Sequence, residues 1–159
     1  MTYQPPVRDY HFILGELLDI GRYANLPGFA DAPIDVVGQI VEEAARFTAE
    51  VLAPLNAVGD KQGCRWNPDH TVETPEGFKA AYAKLVEGGW PALGADPAYG
   101  GQGLPHVVNL AFSDMSSAAN MAFSMYPGLT HGAYSALLNG GSDELKQRYL
   151  LMVFGKESV

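Results

Sequence analysis

The stretch Trp90-Pro91-Ala92-Leu93-Gly94-Ala95-Asp96-Pro97-Ala98-Tyr99-Gly100-Gly101-Gln102-Gly103-Leu104-Pro105 decides how this chain is read. Glycine and proline are the strongest local punctuators of structure, so this dense run of turn formers predicts a compact loop between two helical patterns. On its C-terminal side, Pro105 opens a segment in which Val108, Phe112, Met115 and Ala119 recur at helical steps. Residues 120–138 follow, apolar nearly all round, which predicts a helix covered on several sides and distorted at Pro127 and Gly128. Beyond them Gly141-Ser142-Asp143-Glu144 predicts a last helix, capped by Ser142 and with its acidic residues at the positive end of the dipole.

On the N-terminal side, Thr74 and Pro75 predict the start of a helix with Phe78, Ala81, Tyr82, Leu85 and Val86 on one face, closed by Gly88-Gly89. The strongest helical pattern begins around Asp31 and Pro33. There Val37, Ile40, Val41, Ala44, Thr48, Val51, Leu52, Leu55 and Val58 form one stripe, while Glu42, Glu43, Arg46 and Glu50 lie mostly off it. Pro54 lacks a backbone donor and crowds the carbonyl of Glu50, so a bend is expected there. Residues 22–32 and 59–74 read as loops. Residues 9–20 predict a short helix with Asp9 as N-cap and Gly21 as its left-handed end. Sustained period-two alternation and internal repeats are absent, and the expected fold is all-α, with five or six helices. The expected division is an extension over residues 1–32 and one helical domain over residues 33–159.

Composition bounds the partners. Of 159 residues, 47% are hydrophobic and 18% charged, which suits a globular domain able to bury a core. The net charge of -8 repels nucleic-acid phosphates and anionic membrane surfaces, so neither is expected as a partner. Cys64 is the single cysteine, which rules out an internal disulfide and fits a reduced, cytoplasmic setting. The start, Met1-Thr2-Tyr3-Gln4-Pro5-Pro6, has no secretory-signal character, and the longest wholly apolar run, residues 150–154, is far short of the ~20 residues that span a bilayer.

No motif supplies a catalytic constellation. Tyr99-Gly100-Gly101-Gln102-Gly103 lacks the preceding strand and the lysine of a phosphate loop, which favours a tight structural turn over a phosphate cradle. His131 has no ligand spacing to His11, His70 or His106 and no local orienting carboxylate, which favours a packed histidine over a metal ligand or base. Ser113, Ser116, Ser117 and Ser124 lack a nucleophile elbow. Cys64, between Lys61 and Arg65, reads as an incidental loop thiol, and Glu42, Glu43 and Glu50 as a solvated face. Met115, Met121, Phe123, Met125, Tyr126 and Tyr134 suit the wall of an apolar ligand cavity and equally an ordinary core, the commoner use.

Taken in order, these elements resemble the N-terminal helical domain of the acyl-CoA dehydrogenase family. The resemblance rests on Ala53-Pro54-Leu55-Asn56, the Gly89-Trp90 turn, the loop from Asp96 to Gly103, and Gly140-Gly141-Ser142-Asp143-Glu144-Leu145-Lys146-Gln147-Arg148-Tyr149-Leu150. Residues 3–20 also resemble the extra N-terminal segment of the branch that includes 3-methylmercaptopropionyl-CoA dehydrogenases. The resemblance implies a three-domain enzyme that holds FAD against a middle β-domain and a C-terminal bundle, with a carboxylate base from that bundle taking the α-proton and the flavin accepting hydride from the β-carbon. The N-terminal domain lends wall and floor to the acyl-chain pocket. In this chain that role falls on residues 120–138, with Phe123, Tyr126, Pro127 and Thr130 as the acyl-facing candidates.

Residues 151–159 depart from the family's usual continuation into a proline-containing helix end and a first β-motif. The leading expectation is therefore a fragment or split-gene subunit of an FAD enzyme acting on acyl-CoA, itself free of cofactor, metal and catalytic residues, colourless and inactive alone. The remaining dehydrogenase domains, or a subunit carrying them, are its expected partner, and open interdomain surfaces predict a homo-oligomer. A stand-alone helical binding or oligomerisation module is the competing reading.

Overall fold

A computed structural model describes residues 3–151 and 153. Helix α1 (Val7–His11) runs on through wide π turns over Phe12–Leu17, and a 3-10 turn follows at Ile20–Tyr23. The cap is Pro6 rather than Asp9, which sits inside the first turn. The left-handed residue is Asp19 (φ 45°), not Gly21. Aspartate is among the few residues besides glycine that visit that conformation.

Helix α2 (Ile34–Phe47), π turns over Thr48–Leu52 and helix α3 (Ala53–Gln62) follow one another without a break. Pro54 occupies the first turn of α3, and the wide turns before it absorb its missing N–H. Thr48 donates its hydroxyl back to the carbonyls of Ala44 at 2.8 Å and Ala45 at 3.1 Å, which satisfies its buried side chain within the helix. Val37, Val41, Ala44, Thr48 and Leu52 are buried as their stripe predicts.

The expected loop over residues 59–74 contains structure that the pattern did not reveal. Helix α3 extends to Gln62, and strands β1 (Arg65–Trp66) and β2 (Val72–Glu73) then pair as an antiparallel ribbon. Both strands are exposed, so no alternation betrays them. What holds the ribbon is polar: Arg65 bonds Glu73 at 2.8 Å, and Asp69 accepts from the Thr71 amide and hydroxyl.

Helix α4 (Phe78–Glu87) starts three residues after Pro75, with Gly77 as its N-cap. Gly89, left-handed at φ 72°, turns the chain after it as expected. The loop from Trp90 to Pro105 folds as two 3-10 turns, Trp90–Ala92 and Pro97–Tyr99.

Helix α5 (His106–Gly140) contains one residue off helical dihedrals, Asn120 (φ -160°, ψ 89°). The main break thus falls at Asn120 rather than at Pro127, whose surroundings keep helical dihedrals. Asn120 turns the chain back on itself. In a straight helix His106 and His131 would stand roughly 37 Å apart, yet their rings lie 6.4 Å apart. The two halves of α5 therefore run side by side, with Ser117 and Ser124 hydroxyls meeting at 3.4 Å near the bend. Helix α6 (Asp143–Tyr149) closes the described chain, with the Ser142 hydroxyl accepting the Leu145 N–H at 3.3 Å.

The core lies between the α2–α3 rod, α4 and the first half of α5, and Leu14 and Ile20 of the N-terminal segment also enter it. Trp90 stacks on Phe112 with ring centres 4.6 Å apart and on Phe47 at 5.8 Å. A second, smaller cluster of Ala92, Ala95, Tyr134 and Leu150 seals the glycine-rich loop onto the end of the bundle.

Candidate functional site

The second half of α5 and α4 enclose an apolar cleft of about 410 Å³. Phe78 and Tyr82, four residues apart on α4, meet Phe123 and Tyr126 across it. Phe78 stands edge-on to Phe123 (5.7 Å, 60°) and to Tyr126 (6.4 Å, 86°), and Phe123 is edge-on to Tyr126 (6.2 Å, 80°). Edge-to-face packing of this kind fixes the rings without filling the space between them. Thr74, Lys79 and Thr130 supply the polar groups of its wall.

Three of the acyl-facing candidates, Phe123, Tyr126 and Thr130, line this cleft together. Pro127 does not. It faces a smaller hollow of about 120 Å³ toward Trp90, Phe112 and His131. Phe123, only 1% exposed, borders both spaces and separates them. The Tyr126 hydroxyl lies 3.9 Å from the Cys64 sulfur, and burial, then that contact, raises the Tyr126 pKa above its ordinary value.

The Met and aromatic set divides in two. Met115, Phe123 and Tyr134 are core, whereas Met121 and Met125 are more than half exposed and Tyr126 is partly so. With Leu129 at 73% exposure, Met121 and Met125 make an outward apolar stripe at four-residue spacing along the second half of α5. The covering on several sides expected for residues 120–138 therefore leaves one face open.

The glycine-rich loop is a structural turn. The N–H groups of Gly101, Gln102, Gly103 and Leu104 donate to the carbonyls of Asp96, Ala92, Ala95 and Leu93 at 2.9–3.0 Å. A phosphate cradle needs such donors free, so this loop does not suit the pyrophosphate of a flavin dinucleotide. The Tyr134 hydroxyl accepts the Asp96 N–H at 2.8 Å, tying the loop to α5. His131 packs between the rings of His106 and Tyr134. Among the described residues no three His, Cys, Asp or Glu side chains are placed to hold a metal ion, and no helix is long and apolar enough to cross a membrane.

Fold and site together define a helical domain that presents an aromatic cleft and an open apolar helix face. Residues 37–157 match the family model described as acyl-CoA dehydrogenase, N-terminal domain, and the chain belongs to that family. It is 39% identical over 150 residues to 3-methylmercaptopropionyl-CoA dehydrogenase of Ruegeria pomeroyi, covering 94% of this chain and 25% of that protein. It is 31% identical to the broad-specificity linear acyl-CoA dehydrogenase FadE5 of Mycobacterium tuberculosis, covering 91% of this chain and 24% of the relative. Identity to a butyryl-CoA dehydrogenase of Syntrophomonas wolfei is 30%, over 98% of this chain and 26% of the relative. The chain spans about a quarter of the length of these relatives.

Proposed function

We propose that this chain serves as the N-terminal domain of a flavin-dependent enzyme that removes hydrogen across the α,β-carbons of an acyl-CoA thioester. Its part is to wall the acyl-chain pocket and to pack against the other domains. In this reading Phe123 forms the floor of the cleft, Tyr126 and Thr130 its side, and Pro127 shapes the helix turn beside it. FAD and the carboxylate base belong to the remaining dehydrogenase domains, whether joined to this chain or carried by a partner subunit, and the 159 residues alone are colourless and inactive. A cytoplasmic setting fits the exposed, unpaired Cys64.

The observation that carries the proposal is the open stripe of Met121, Met125 and Leu129 next to the aromatic cleft. Exposed apolar surface of this regularity marks a face built to be covered. The test is complementation. The R. pomeroyi relative, expressed without its own matching N-terminal quarter, is mixed with this chain and assayed for dye reduction dependent on acyl-CoA. Activity present only in the mixture supports the proposal. Bound FAD and acyl-CoA oxidation by the purified chain alone would overturn it, and a mixture that stays inactive favours the stand-alone module.

A further inference from the structure

Lys79 is the one charged residue among those lining the aromatic cleft. It follows Phe78 on α4 and is exposed, a position in which a long cationic side chain can rest its stem on an apolar wall and keep its ammonium in solvent. Glu73 is an acidic neighbour that feels its charge, and its carboxylate is already held by Arg65 at 2.8 Å and by Asn67 at 3.1 Å. Lys79 forms no salt bridge among the described residues. The cleft thus joins an apolar interior, a volume inside the ~300–1,000 Å³ range of small-molecule sites, and a single available cation at its edge.

We infer that Lys79 makes this cleft selective for an apolar chain ending in one carboxylate. The tail lies against Phe78, Tyr82 and Phe123, and the carboxylate meets the Lys79 ammonium. The inference rests on the reading of the cleft as an acyl-chain site and adds the charge of the chain's far end. Such a carboxylate comes either from a free fatty acid or from an acyl group carboxylated at its distal carbon.

Three probes of equal chain length separate these cases: decanoate, monomethyl decanedioate and decanol, each titrated into the purified chain by calorimetry while aromatic NMR shifts of Phe78, Tyr82 and Phe123 are followed. Both carboxylates are expected to bind roughly fivefold more tightly than decanol, the upper end for an exposed ion pair. Added salt narrows that ratio. Decanoate ahead of the half-ester points to the free acid, and the reverse order to the distally carboxylated acyl group. Lys79→Met, which keeps the apolar stem, brings all three affinities together; Tyr82→Ser weakens all three and keeps the ratio. Decanol binding as well as the carboxylates, or a ratio that survives Lys79→Met, overturns the role of Lys79 and leaves the acyl-chain reading standing. Failure of every probe to bind overturns both.

Discussion

Asn120 reaches across the bundle and donates its side-chain amide to the Leu52 carbonyl at 3.2 Å, while its own Oδ1 accepts the Phe123 N–H at 3.0 Å. One buried side chain thus ties the π turns between α2 and α3 to the reversal inside α5, and caps the helix that carries the cleft. Asn120→Ala removes an internal cap and one donor to the Leu52 carbonyl, and should destabilise the domain by about 1–3 kcal/mol. Asn120→Asp keeps the cap acceptor but loses the donor and buries a charge, so it also destabilises. Urea midpoints unchanged in both variants would refute this account of the break.

The N-terminal segment is anchored by Tyr10, whose hydroxyl donates to the Asp114 carboxylate on α5. Burial first, then that bond and the carboxylate's charge, raise the Tyr10 pKa well above its ordinary value. Its folded pKa exceeds the unfolded one, so the stabilisation is complete below about pH 10 and is lost as pH climbs through the folded value. Wild type should therefore lose stability above pH 10 more steeply than Tyr10→Phe. At neutral pH that variant should be about 1 kcal/mol less stable. Parallel curves from pH 8 to 11 would contradict the assignment.

The helices were legible because their apolar spacing is a local signal: the stripe from Val37 to Leu52 and the face of Phe78, Ala81 and Leu85 are buried as their periods required. The β-ribbon was not, because Arg65, Trp66, Val72 and Glu73 are all exposed and carry no alternation. The signal available was the turn chemistry of Asn67-Pro68-Asp69-His70, with His70 left-handed at φ 66°. Asn120 was hidden for another reason. Its partner, Leu52, is 68 positions away, and an asparagine inside an apolar run gives no hint that it bridges rather than packs. Three of the four residues placed against an acyl chain share the cleft because 123, 126 and 130 fall on one helix face, whereas Pro127 is rotated off it.

Two glycines should respond oppositely to alanine. A Cβ on Gly101 would sit 2.0 Å from the Ala95 carbonyl oxygen, backbone against backbone within a hydrogen-bonded turn. Gly101→Ala should lose upwards of about 3 kcal/mol, beyond the usual range for overpacking. A Cβ on Gly128 meets nothing within 4 Å, and the residue lies in helical backbone. Gly128→Ala should gain about 0.5–1 kcal/mol from helix propensity alone. Thermal melts of the two variants moving in the same direction would show that the loop or the helix is packed otherwise.

The stripe of Met121, Met125 and Leu129 leaves three large side chains 57–73% exposed on one helix face. Fully burying a side chain of this kind is worth ~1.5–3 kcal/mol, so in the absence of other domains two copies gain by pressing these faces together. The chain's net charge of -8 opposes that contact, and salt weakens the opposition while leaving the apolar gain in place. The purified chain should therefore form dimers or larger species by light scattering, in a proportion that rises with both protein concentration and salt. Met125→Gln combined with Leu129→Gln should return it to a monomer without lowering its melting temperature, since neither side chain belongs to the core. A wild-type chain that stays monomeric at high concentration and high salt would mean that this face is satisfied in water, and would remove the main support for its being an interdomain surface.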